Sequence, residues 1–236
     1  MKFKIVSLFV LCAILISCGT SRQGGKKQRK GTKAQVVLTP EQQRKYDYFF
    51  LEASRLKMKD DYSAAFDLLQ HCLTINPNAS SALYEISQYY MYLKQVPQGQ
   101  AALEKAVEND PDNYWYSQGL ASLYQQQNEM QKATNLLESM ATRFSDRMDP
   151  LYSLLDIYNR LEEYDNVITT LNRLEEKMGK NEQLSMEKFR IYLQKKDNQS
   201  AFREIESLVE EYPMDMRYQV ILGDVYMQND KKDEAY

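Results

Sequence analysis

Residues 46–79 read YDYFFLEASRLKMKDDYSAAFDLLQHCLTINPNA, and residues 80–113 read SSALYEISQYYMYLKQVPQGQAALEKAVENDPDN. Set one beneath the other, they share a small residue in the eighth column (Ala53, Ser87) and another in the twentieth (Ala65, Gly99). Leu69 and Leu103 align in the twenty-fourth column, and Pro77 and Pro111 in the thirty-second. The frame continues without a gap through 114–147, 148–181, 182–215 and an incomplete 216–236. Its eleventh column reads Leu56, Tyr90, Tyr124, Tyr158, Tyr192 and Tyr226, and its twenty-fourth continues with Leu137, Leu171 and Ile205. A fixed period of this length marks stacked units, none of which buries its apolar face alone.

Within each block, apolar residues recur near a spacing of 3.6 in two stretches of about 12–14 residues, which predicts two helices. Small residues in columns eight and twenty let the paired helices approach closely. Proline in column thirty-two ends the second helix, because it lacks an N–H and restricts the residue before it. Ser145 and Gly179 fill that column in the third and fourth blocks, and Pro213 returns in the fifth. Thr39-Pro40-Glu41-Gln42 is a capping box with proline at the first helical position, which starts the first helix at residue 40. Some positions break the pattern. Leu155 and Phe189 stand in column eight, and Met140, Leu174 and Leu208 in column twenty-seven, which predicts wider helix separation there. Lys188 replaces the apolar residue of the seventh column, which reads Ile86, Leu120 and Leu154 in the three preceding blocks.

Asp61-Tyr62-Ser63-Ala64-Ala65 and Leu73-Thr74-Ile75-Asn76-Pro77-Asn78 resemble the second helix of the tetratricopeptide repeat and its exit. The resemblance covers residues 46–236. It implies an all-α fold, a right-handed superhelical solenoid of antiparallel helix pairs, with a groove lined by the first helix of each repeat.

Composition agrees. At 43% apolar and 27% charged residues, the chain can build a core and is not disordered throughout. Four of its eight glycines (Gly19, Gly24, Gly25, Gly31) precede residue 32, leaving few tight turns for a sandwich, barrel or Rossmann domain. No acidic residue precedes Glu41, whereas eight Lys and Arg do. The rest carries 22 basic against 33 acidic residues, a net of −11. So acidic a body is a poor binder of phosphate backbones, which argues against nucleic acid.

The first residues form an address. Met1-Lys2-Phe3-Lys4 is basic, and Ile5 to Ser17 is an apolar run rising only about 20 Å as a helix, too short to span a bilayer. This predicts a signal peptide over 1–17. Leu15-Ile16-Ser17-Cys18-Gly19 resembles the lipobox of bacterial lipoproteins, which implies a diacylglycerol and fatty acyl lipid on Cys18. Two acyl chains suffice for stable anchoring. Cys12 leaves with the signal, so Cys72 is left without a disulfide partner. Residues 18–39 read as the lipidated cysteine and a basic, flexible tether. Lipoproteins sent to the cell surface in some bacteria carry an acidic run after the cysteine. The basic run here favours the outer membrane facing the periplasm, with the cell surface as the alternative.

The chain shows no catalytic constellation. A glycine-rich phosphate loop and paired-cysteine motifs are missing, and the single His71 has no carboxylates at ligand spacing, so neither an active site nor a metal site is expected. His71 reads as a surface side chain and Cys72 as a small core residue. In the resembled family, columns two, five, nine and twelve of the first helix face the groove, and spacings of three and four do place them on one stripe. Candidate groove residues are Phe50, Tyr84, Gln88, Trp115, Gln118, Ser122, Tyr152 and Asp156. The lysine and asparagine with which the family's chaperone-tail binders clamp a carboxylate are absent from columns five and nine. Aromatics interleaved with amides and hydroxyls suit an extended peptide. The expected function is therefore a lipid-anchored cell-envelope scaffold that binds a protein or peptide, without a cofactor beyond its lipid.

Two other readings stand beside it. One is the N-terminal part of a larger enzyme or transport or assembly component, since the apolar Val220, Ile221, Leu222 and Val225 predict that the chain continues past Tyr236. The other is a glycan-capture outer-membrane lipoprotein, although a gap-free period leaves no room for that family's long sugar-binding insertions.

Overall fold

In the computed structural model, which describes residues 37–228, eleven α-helices follow one another. They are α1 (Pro40–Lys57), α2 (Tyr62–Ile75), α3 (Ser80–Tyr92), α4 (Val96–Asn109), α5 (Tyr114–Gln126), α6 (Met130–Arg143), α7 (Asp149–Arg160), α8 (Tyr164–Met178), α9 (Glu182–Gln194), α10 (Asn198–Glu211) and α11 (Met216–Gln228). The signal segment, Cys18, the tether as far as residue 36 and the final columns of the sixth block lie outside the described residues. Odd-numbered helices are the first of each block and even-numbered helices the second. The two helices of a block pack most extensively on each other, and each second helix then packs on the first helix of the next block. The result is a superhelical array of antiparallel pairs.

Local chemistry sets the helix ends. The Thr39 backbone N–H donates to Gln42 Oε1 (2.9 Å) and the Gln42 N–H to Thr39 Oγ1 (3.2 Å), closing the capping box. Second helices end at Ile75, Asn109, Arg143, Met178 and Glu211, one or two residues before column thirty-two, and Gly179 closes α8 with φ +81°. The sharp turn inside each block is built alike five times. Asp60, Lys94, Asn128, Glu162 and Lys196, all in column fifteen, have φ between 56° and 61°. The N–H one residue later donates to the column-eleven carbonyl, and the column-fifteen N–H to the column-twelve carbonyl. This is the Schellman arrangement, with a non-glycine residue in the left-handed position where glycine is usual.

Apolar side chains form three clusters. One lies in α1–α3 around Ala53, Leu69, Cys72 and Ile86, and a larger one runs from Leu103 to Ile191. The last gathers Phe189, Ala201, Ile205, Leu208, Tyr218 and Val225. Column-eight size does not set the spacing as expected. The pair α7/α8, carrying Leu155, packs less extensively than α1/α2 or α3/α4, but α9/α10 packs closely although it carries Phe189. Phe189 turns into the last cluster with the fully buried Ala201, so large meets small across that interface. Closest approach is dictated at Gly99, where an added Cβ would lie 2.7 Å from Met91 Cε and 3.1 Å from the Ser87 carbonyl oxygen.

Candidate functional site: an open stripe and a tyrosine pocket on the first helices

Every column-nine residue of the six first helices (Ser54, Gln88, Ser122, Asp156, Arg190, Asp224) is exposed, whereas the neighbouring tenth column is buried in every block but the first. In the first three blocks the helices that carry this stripe touch directly. Tyr46 Oη and Ser81 Oγ are 3.0 Å apart between α1 and α3, and Lys57 Nζ reaches Glu85 Oε2 at 2.7 Å across the same pair. Tyr84 of α3 stacks on Tyr116 of α5 with centroids 4.8 Å apart. Over α1, α3 and α5 the stripe is therefore laid on adjacent helices, not on isolated ones.

The candidate residues divide into two kinds. Phe50 is half-buried, stacked on Tyr46 (5.9 Å, 9° between planes), and packs against the first core cluster. Tyr84 is half-buried as well, its ring near Gly119, whose added Cβ would meet it at 3.7 Å. These two brace neighbouring units. Trp115, 61% exposed, lies edge-to-face on Tyr114, with the Arg147 guanidinium 5.5 Å from its ring. Tyr152 is 49% exposed, with its hydroxyl 3.3 Å from Met178 Sδ. Gln88, Ser122 and Asp156 are open to solvent, and Gln118 is half-buried.

Sequence reasoning missed a pocket at the turn end of the first two blocks. Lys57, Tyr62, Gln88, Tyr89 and Tyr92 enclose a cavity of about 400 Å³, within the range of ligand clefts. The Tyr62 ring meets Tyr89 edge-on (6.3 Å) and Tyr92 at 6.5 Å. Tyr92 is exposed, while Tyr89 is 8% exposed and its buried hydroxyl has no hydrogen-bond partner among the described residues. Burial raises the Tyr89 pKa, so the hydroxyl keeps its proton. Apart from Lys57 in column twelve and Gln88 in column nine, these residues fall outside the groove columns. The signal was the pair of tyrosines at 89 and 92 facing Tyr62.

His71 is exposed beside the Phe49 ring (5.5 Å), and Cys72 is fully buried. Desolvation pushes the Cys72 thiol up to about 11, far from a reactive thiolate. Among the described residues no group of three or more His, Cys, Asp or Glu is placed to hold a metal, and no helix is long and apolar enough to cross a membrane. Lys188 is not an exposed misfit. It is 4% exposed and bonded to Glu175 (2.8 Å) and Glu204 (2.9 Å).

Comparison with known proteins agrees with this geometry. Residues 80–113 match the model of the tetratricopeptide repeat. The second block is thus similar to a tetratricopeptide repeat, and the helical array is the fold such repeats build. A tetratricopeptide repeat protein from Parabacteroides merdae ATCC 43184 superposes with a TM-score of 0.53 at 17% identity, over 81% of this chain and 76% of that one. A structure of MamA gives 0.52 at 18% identity, over 75% of this chain and 96% of that one. A structure of Naa15/Naa10 bound to HypK-THB gives 0.59 at 16% identity, over 83% of this chain but only 31% of the other. At these identities the likeness is one of fold. No curated protein matches the chain in sequence.

Proposed function

We propose that this chain is a lipid-anchored scaffold of the bacterial cell envelope, which holds an extended protein segment along the open faces of its first helices. The observation that carries the binding role is the exposed column-nine stripe on adjacent helices, flanked by the exposed rings of Trp115 and Tyr152. Side chains spaced along neighbouring helices, mixing amide, hydroxyl and aromatic groups, suit a segment held by stacking and hydrogen bonds. The complex of Naa15/Naa10 with HypK-THB is a similar fold with a protein bound. The anchoring role rests on Leu15-Ile16-Ser17-Cys18-Gly19, and the basic, acid-free tether favours the periplasmic face of the outer membrane.

Two experiments test the two halves. A photo-cross-linking residue placed in living cells at Ser122 or Asp156 is expected to trap a partner, while one at Asn135, exposed on α6, traps none. Equal yields at the three positions would remove the stripe from the function. For the anchor, Cys18→Ala is expected to abolish labelled fatty-acid incorporation and release the protein from membranes. A variant that stays acylated refutes the lipid assignment.

A further inference from the structure

Each second helix covers one side of the first helix that follows it. Tyr89, in column ten of α3, is buried with the Phe66 ring of α2 beside it (centroids 5.9 Å apart), and column ten is buried in every later block. In α1 that column holds the exposed Arg55, and among the described residues no second helix precedes it. The uncovered side is a continuous stripe. Arg44, Tyr48, Leu51, Arg55 and Met58 are all exposed and recur at spacings of three and four, opposite the buried Ala53. Tyr48 is 64% exposed, Leu51 69% and Met58 80%. An end unit of a repeat array usually turns a polar face outward, and this one shows three large apolar side chains between arginines.

Charge sets this end apart from the rest of the chain. Residues 19–59 carry eleven Lys and Arg against three acidic residues, whereas residues 60–236 carry 17 against 30. An acidic bilayer attracts the first part and repels the second, so both charges turn the same end toward the lipid. The stripe also lies within reach of the proposed anchor, since the 21 residues between Cys18 and Pro40 span roughly 25 Å as a coil. Arg55 is bonded to Glu52 at the margin of the stripe, with N–H groups left over for a phosphate oxygen. Tyrosine, leucine and methionine between arginines suit a headgroup layer, where apolar parts enter the acyl boundary and guanidinium groups stay among the phosphates. The tether would bring like charge to this face and little apolar content before Val36, and a second copy would set arginines against arginines. We infer that the open side of α1 docks on an acidic phospholipid surface beside the lipid anchor and holds the first repeat against the bilayer. This rests on the anchor proposed at Cys18. Ser54 of column nine lies about a quarter turn from the stripe, so docking leaves the protein-binding face open.

The test uses the full chain purified from membranes and reconstituted into vesicles of equal parts phosphatidylethanolamine and phosphatidylglycerol. Leu51→Cys, or Asn135→Cys on α6 as control, carries a nitrobenzoxadiazole label, which the buried Cys72 does not take up. Quenching by a lipid with a nitroxide on its headgroup reports contact with the bilayer. The label at 51 is expected to be quenched about threefold or more beyond the label at 135. Vesicles of phosphatidylcholine alone, or the exposed changes Arg44→Glu and Arg55→Glu together, should bring it down to the control level. Arg44→Gln with Arg55→Gln should fall between. Quenching at 51 that matches the control in acidic vesicles, or that ignores both lipid charge and charge reversal, would overturn the assignment. So would a label shielded from aqueous acrylamide yet untouched by the nitroxide lipid, which would give the face to the tether or to a second copy. An acylated chain whose label at 51 stays in water sinks the docking face alone. A chain that carries no acyl group refutes the anchor, and this inference with it.

Discussion

Tyr84 and Trp115 occupy neighbouring groove columns in consecutive repeats, yet they do different work. Tyr84 is sandwiched between its own core and Tyr116, whereas Trp115 leaves most of its ring in water. Truncating Tyr84 to Ala removes packing on two helices and should cost about 2–3 kcal/mol. Trp115→Ala should stay within about 1 kcal/mol. Urea unfolding of the two variants separates them, and equal losses would contradict the assigned environments. The spacing of columns five and nine was legible from residue types alone, because helical periodicity decides which positions share a face. Which aromatic on that face is braced and which is free was not legible, because it depends on the neighbouring repeat. Lys188 teaches the same lesson. Its column reads apolar in the three preceding blocks, and only the fold brings Glu175 and Glu204 to it.

That lysine also carries a pH dependence. Burial works to lower its pKa, but the hydrogen bonds to Glu175 and Glu204 outweigh burial and leave it raised above the ordinary 10.5. A raised folded-state pKa gives stability that is fully present below pH 10.5 and is lost as pH climbs through the folded value. Lys188→Met should therefore cost about 3 kcal/mol at neutral pH, by leaving two carboxylates unpaired. The gap from the parent should shrink above pH 10.5, and a gap that stays constant into strong alkali would refute the assignment.

At the scale of elements, the five turns show what residue patterns conceal. Column fifteen reads Asp60, Lys94, Asn128, Glu162, Lys196, all polar but unlike in charge and length, and sharing the left-handed backbone that the Schellman closure imposes. A branchless or amide residue tolerates that conformation, and long side chains carry a cost. Lys94→Gly and Glu162→Gly should each stabilise by about 0.5–1 kcal/mol, relief of strain exceeding the added freedom of the unfolded chain. Asn128→Gly should change little. Gly99 is the opposite case. Met91 is flexible, but the Ser87 carbonyl is backbone and cannot give way, so Gly99→Ala should destabilise by about 1–3 kcal/mol. Thermal melts of the four variants check both signs. If Lys94→Gly and Gly99→Ala moved the melting point in the same direction, one of the two accounts would fail.

At the scale of the whole array, stability is distributed among neighbours, since each repeat is stabilised by the ones beside it. The three apolar clusters are not equal. The central one runs through α4–α9, while the last, around α9–α11, adjoins it where column seven holds Lys188 in place of a leucine or isoleucine. Around that lysine, the buried Glu175 Oε1 and Ser185 Oγ have no hydrogen-bond partner among the described residues. An ion cluster holds only while its partners stay aligned, so this junction is weaker against partial opening than the leucine-packed ones. Native-state hydrogen exchange should therefore show α9–α11 opening as one unit, at a lower free energy than α5–α7. Lys188→Met should accelerate exchange in α9–α11 and leave α5–α7 nearly unchanged. The junction would not be the weak point if all helices exchanged through one global event, or if the substitution accelerated the centre as much as the end.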